Sequence, residues 1–145
     1  MKATVASAGK VASVVQLGPH QLLFDQPSGV PGGDDRGPSP LDVLGVAVAA
    51  CAHYFAAAFL HGRGLSTSEL KVDVEFEKDR TPSPRISRLA MTVHVPSGLS
   101  EHQLAGIRRA IQYCPAYGTL LNPPAVELSI TSDTEIQPDP LSASA

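Results

Sequence analysis

The sequence predicts an α+β fold with an antiparallel sheet, and three observations carry that prediction. The first is the order of elements: two short strand-like runs, one long helix, two alternating strands, a second helix and a last short strand, an order suited to helices packed on an antiparallel sheet. The second is the long helix, which is apolar nearly all the way round. From Val43 to Leu60 only His53 and Tyr54 carry a polar side-chain group, apart from the thiol of Cys51. A helix without a polar face must be covered on every side. The third is strict alternation over Leu70–Glu77, which marks a half-buried strand with one wet face. A single sheet can cover only one face of such a helix, so the burial requirement predicts a homodimer, with two central helices packed together and a sheet from each chain outside.

The chain has 145 residues and a formal net charge of −3, which suits one domain with a substantial core. Residues 1–136 are read as that domain and 137–145, rich in Pro, Ser, Ala and Asp, as a flexible tail. The acidic balance and the absence of Trp exclude a nucleic-acid surface. The apolar helix is long enough to meet the length rule for a membrane span, but Ala and Gly supply much of it, and the reading is a buried core helix with no membrane partner. Lys10 interrupts the apolar character of the amino terminus, so no signal peptide is expected. Two cysteines without a secretory signal point to free thiols in a reducing, cytoplasmic setting.

Ala12–Leu17 and Gln21–Phe24 read as strands joined at Gly18-Pro19, a hairpin signal. Residues 25–38 hold four Gly, three Pro and three Asp and form a loop. Its reading is a tight connection; an anion cradle of free amides is the alternative. Ser39 is placed to cap the central helix, with Pro40 at the first helical position and Asp42 in the first turn. Gly62 and Gly64 stop the helix, and Arg63 sits at its negative end. Leu70, Val72, Val74 and Phe76 face inward from the next strand, and Leu89, Met91, Val93 and Val95 from Ile86–Val95, with Thr81-Pro82-Ser83-Pro84 between them. Ser100 and Gln103 form a capping box for a helix running to Tyr113, whose apolar positions are Leu104, Ile107, Ile111 and Cys114. Pro115 ends it. Val126–Ile130 is the last strand by alternation.

Cys51 and Cys114 are the sharpest chemical features, one in the middle of the central helix and the other on the apolar side of the second, so both point to one core. A buried free cysteine often only fills space. The five histidines and two cysteines show no metal-ligand spacing, and no Gly-x-Ser-x-Gly elbow occurs, so neither metal nor cofactor is expected.

GPSPLDVLGVAVAAC (37–51), GLSTSELKVDV (64–74) and CPAYGTLLNPP (114–124) resemble the OsmC/Ohr family, nearer its OsmC-like branch than the organic hydroperoxide resistance branch. The resemblance implies an intertwined homodimer with two long central helices wrapped by sheets. It implies a peroxidatic Cys51 and a resolving Cys114, a small organic hydroperoxide as substrate, and an external dithiol, lipoyl-type or small thiol, as reductant. It also implies a cation and a carboxylate beside the reactive thiol. Residues 1–35 contain no Arg, so Arg36, in the loop before the helix, is the candidate cation. Leu41 holds the position of the family glutamate and Asp42 is the candidate acid. The expected site is an apolar pocket around Cys51 with Phe55 and Phe59 nearby. The alternatives are a non-enzymatic dimer that binds a small apolar ligand, and a cysteine redox sensor.

Overall fold

The computed structural model describes residues 2–80 and 82–131, and the backbone of Gln137–Pro138. The chain opens with an antiparallel meander, β1 (Thr4–Ser7), β2 (Ser13–Leu17) and β3 (His20–Phe24). Leu17 pairs with His20, so Gly18-Pro19 is the two-residue turn the sequence predicts, with Gly18 at φ +57. β1 escapes sequence reading because all four of its residues are exposed, and a fully exposed strand carries no apolar alternation.

The central helix α1 runs Pro40–His61. The Ser39 hydroxyl accepts the Asp42 N–H at 3.3 Å, as its sequence demands. At the far end the Arg63 guanidinium donates to the Phe59 carbonyl at 3.2 Å, which supplies a partner and a compensating charge to the helix terminus. β4 (Lys71–Asp79) and β5 (Arg85–His94) pair antiparallel, with Val72, Val74 and Phe76 opposite Val93, Met91 and Leu89. These apolar faces lie toward α1. Thr81, in the predicted connection, lies outside the described residues. Helix α2 (Glu101–Gln112) starts with both hydrogen bonds of the Ser100–Gln103 capping box. Ala56, Leu60, Leu70 and Ile107 form the buried core where α1, α2 and the β4–β5 sheet meet.

Helix interiors disfavour glycine unless a side chain has no room. A Cβ on Gly45 of α1 would stand 2.9 Å from Cδ1 and Cε1 of Phe76. Gly45→Ala is therefore expected to be destabilising by up to about 2 kcal/mol, since overpacking of about 1–3 kcal/mol is set against a propensity gain of about 1 kcal/mol. Phe76→Leu in the same chain should recover most of the loss in urea denaturation.

Two predicted features are corrected. Pro115 does not merely end α2; it is the first residue of a short helix α3 (Pro115–Leu121), because proline's fixed φ also suits a helix start. The last strand is shorter than expected, with only Ser129–Ile130 (β6) in a ladder, paired to Gln137–Pro138 (β7). Val126 and Leu128 find no neighbouring strand among the described residues and stand exposed. The segment taken as a tail thus begins with two ladder residues, and 139–145 lie outside the described residues.

α1 is long and apolar enough to cross a membrane by length and composition, and 33% of that apolar stretch is buried within the chain. Gly45, Val48, Ala49, Ala52, Ala56 and Leu60 face inward, while Leu44 is 49% exposed and Tyr54 65%. The single chain leaves one side of its most apolar element bare.

Candidate functional site

Cys51 lies on α1 among alanines and is half-buried; Cys114 is buried, at 1% exposure, and both are free thiols. Cys114 follows Tyr113 in the two-residue link between α2 and α3 and is the residue just before α3. Its N–H donates to the Ile111 carbonyl and its carbonyl accepts the Gly118 N–H, each at 2.9 Å, so the end of one helix and the start of the next hold it from both sides. The fold brings the two side chains together. Burial pushes the Cys114 thiol above the ordinary value of 9.0, and its hydrogen bond to Cys51 pushes it further, while the Tyr117 and Ala116 amides pull less strongly the other way. Cys114 is therefore a buried thiol held protonated beside a more accessible one.

Arg36 and Asp42 do not join this pair within the chain. The Arg36 guanidinium donates to the Ala8 carbonyl at 2.9 Å, which lashes the loop to the amino-terminal meander. Asp42 lies nine residues before Cys51, about 13 Å along the helix. Its carboxylate accepts from Lys78 of β4 and, at 2.6 Å, from the Ser39 hydroxyl. Lys78, then Ser39, hold the Asp42 carboxyl below its ordinary 3.8 against the opposing effect of burial. Its contacts are those of a first-turn acid clamped to the sheet, and Lys78 is a partner the sequence does not announce.

Asp25 is the buried carboxylate that sequence reading missed. It accepts the N–H groups of Gln26 at 2.8 Å, Arg36 at 3.1 Å and Asp34 at 3.2 Å. The Gly-rich loop does wrap its amides around an anion, and the anion is its own first residue. Burial pushes the Asp25 carboxyl up; the amides of Arg36, Gln26 and Asp34 and the Arg36 charge outweigh it, leaving the group below 3.8. A depressed folded value contributes stability above the unfolded value that is lost as pH falls through the folded one. Asp25→Asn is thus expected to lower the thermal midpoint at pH 7 and to flatten its fall below pH 3.8, as followed by circular dichroism.

Neither of two cavities among the described residues is lined by Cys51. Phe59 is spent on helix packing, and Phe55 stacks edge-on with Tyr54 at 5.3 Å. One cavity, about 500 Å³, lies between β5 and α2, lined by Met91, Val93, Leu104, Ile107, Ile111 and Tyr117, and the last two flank Cys114. A second, about 410 Å³, lies among Leu41, Leu44, Ile86, Leu89 and Leu120, with Arg85 and Arg88 also lining it. Among the described residues no three of His, Cys, Asp and Glu converge to hold a metal.

Three comparisons bear on this arrangement. The family profile described as OsmC-like protein matches residues 32–129, from the loop before α1 to the start of β6. No curated protein matches the sequence. Among solved structures, an OsmC-like protein from Mycoplasma pneumoniae is similar at a TM-score of 0.67 and 18% identity, covering 84% of this chain and 87% of that one. A candidate osmotic stress induced and detoxification response protein from Psychrobacter arcticus gives 0.72 at 15% identity, covering 82% and 87%. An organic hydroperoxide resistance protein from Legionella pneumophila gives 0.58 at 16% identity, covering 83% and 88%. At these identities the structures speak for the fold, the same mixture of helix and antiparallel sheet, and the profile, which spans well over half of the chain, speaks for descent. The chain belongs to the OsmC-like family.

Proposed function

We propose that this protein is a thiol-dependent peroxidase that reduces organic hydroperoxides through Cys51 and Cys114. The observation that carries the reading is the pairing of a half-buried thiol with a buried, protonated one. The Cys51 thiolate attacks the distal peroxide oxygen and the O–O bond breaks. This leaves a sulfenic acid on Cys51 and an alkoxide that takes a proton and departs as the alcohol. Cys114 then displaces the hydroxyl, with loss of water, and closes a disulfide. An external dithiol, lipoyl-type or small, reduces it by exchange and returns both thiols. The name of the Legionella relative, an organic hydroperoxide resistance protein, supports this choice of oxidant.

The bare side of α1 supports a homodimer as the working unit, and the two free cysteines support a cytoplasmic, reducing setting. Leu44, Val46 and Tyr54 on that side, and Val126, Leu128 and Ile130 in and just before β6, are large apolar residues open to solvent. A second copy is the partner that covers two such helices alike.

The test is a thiol count by mass spectrometry on reduced protein, alkylated within seconds of adding one equivalent of cumene hydroperoxide. Loss of both thiols with a Cys51–Cys114 disulfide that a dithiol reverses is expected. Survival of both at the rate of a small free thiol would sink the peroxidase. It would favour the second reading, a non-enzymatic dimer that holds a small apolar ligand, which the engagement of Arg36 and Asp42 elsewhere supports.

A further inference from the structure

Phe59 lies eight residues after Cys51, and Gly106 lies eight residues before Cys114. Along α1, Phe59 lies about 12 Å from Cys51, and on α2 Gly106 lies six residues before the last helical residue, Gln112, with Cys114 two residues beyond it. Where Phe59 meets Gly106 the fit is close. A Cβ on Gly106 would stand 2.3 Å from Cζ of Phe59 and 2.5 Å from Cε2, so the edge of the ring occupies the space a methyl group would fill. The ring cannot swing away freely, because the Arg63 guanidinium lies 3.6 Å from its centroid while bonding the Phe59 carbonyl. Ala56, Leu60 and Ile107 fill the core beside it.

We propose that the wedge of Phe59 into the Gly106 gap is a register lock, which fixes the axial position of α2 on α1 and so carries Cys114 to Cys51. The proposal rests on the two-thiol reading of these cysteines and makes Phe59 and Gly106 positioning residues for them. The requirement is steric. A disulfide tolerates only a narrow range of Cα separations, about 4.4–6.8 Å. A slip of one residue moves α2 about 1.5 Å and turns its face by about 100°. The adjoining core is aliphatic and tolerates small slides, whereas a ring edge seated at a missing Cβ has one position. A helix-interior glycine is otherwise unfavourable, which argues that the gap itself is what this position supplies.

The test uses the full chain in a redox buffer of reduced and oxidised dithiothreitol, with no peroxide present. The two protein thiols pass two electrons and two protons to the cyclic disulfide, giving the Cys51–Cys114 bond and reduced dithiothreitol. Alkylation and mass spectrometry read the equilibrium constant. Gly106→Ala and, independently, Phe59→Leu are each expected to lower that constant by about tenfold, since displacements near 1 Å carry penalties of this order or more. That corresponds to a potential about 30 mV less negative. The double variant, in which a smaller side chain meets the added methyl, should return to within about threefold of wild type by non-additivity of contacting residues. In a Cys114→Ser background the Cys51 alkylation rate should stay unchanged. If Gly106→Ala fails to fold, Phe59→Leu and the double variant decide. Variants that unfold more easily but keep the wild-type constant would overturn the lock and leave the two-thiol reading standing. A wild-type chain that never forms the disulfide would overturn both.

Discussion

Under the peroxidase proposed above, Cys51→Ser is expected to lower hydroperoxide reduction by about 10³-fold or more, whereas Cys114→Ser should give one fast oxidation per chain and then stall. The difference follows from where the two sulfurs sit. Cys51 is half-buried and can meet a substrate; Cys114 is enclosed between α2 and α3 and cannot. Removing a covalent nucleophile leaves only binding and polarisation, and losses of many powers of ten are the usual result. Stopped-flow oxidation with cumene hydroperoxide separates the steps. In Cys114→Ser the sulfenic acid should accumulate and trap a dimedone-type reagent, while wild type should trap almost none. A wild-type rate retained in Cys51→Ser would move the nucleophile elsewhere.

The pH dependence carries a sign. Because burial and the Cys51 contact hold the Cys114 thiol above 9.0, the disulfide-closing step should accelerate as pH rises from 7 toward and past that value. The first oxidation, which Cys114 does not perform, should not follow that limb.

Leu60→Ala should be the most damaging of the simple core truncations. Leu60 is 0% exposed, the largest of the fully buried side chains, and touches α2 and the start of β4 through Ile107 and Leu70. Its carbonyl also accepts the N–H groups of Arg63 and Leu65, each at 3.0 Å, so the backbone there has little freedom to collapse into a void. Leucine-to-alanine changes at such sites cost about 2–5 kcal/mol, a large share of a domain stability of about 5–15 kcal/mol. Urea denaturation should show the midpoint fall with little change in slope. Leu44→Ala, on the bare side of the same helix, is the contrast. In a lone chain a surface truncation is worth about 0.5 kcal/mol or less. Under the homodimer proposed above it should instead make stability depend more steeply on protein concentration. A cost at Leu60 no larger than at Leu44 in dilute protein would show that the core is not where α1 meets α2.

Much of this molecule was legible residue by residue. Ser39, Pro40 and Asp42 announce the start of α1, and Gly62 and Arg63 its end, because capping is decided within one turn of chain. Ser100 with Gln103 announces α2 for the same reason. The alternation of Leu70, Val72, Val74 and Phe76 states which face of β4 is wet, since a strand repeats every two residues whatever packs on it. The apolar circumference of α1 states that it needs cover on more than one side. The three motifs around Cys51, Leu70 and Cys114 carried the family.

What escaped sequence reading depends on partners far along the chain. Pro115 can end one helix or start another, and only the packing of residues 115–121 against α1 selects the second. The Gly-rich loop holds an internal anion because Asp25 folds back on residues nine and eleven positions ahead. Lys78, on a strand, takes the acid that the family resemblance offered to the cysteines, and Ala8 takes the arginine. Local sequence determined the helices, the wet and dry strand faces and the two thiols, because caps and periodicity act over a few residues. Tertiary structure decided which cation meets which carboxylate, where the cavities lie and that Phe59 fills the gap at Gly106, because those contacts join segments whose separation in space no local pattern encodes.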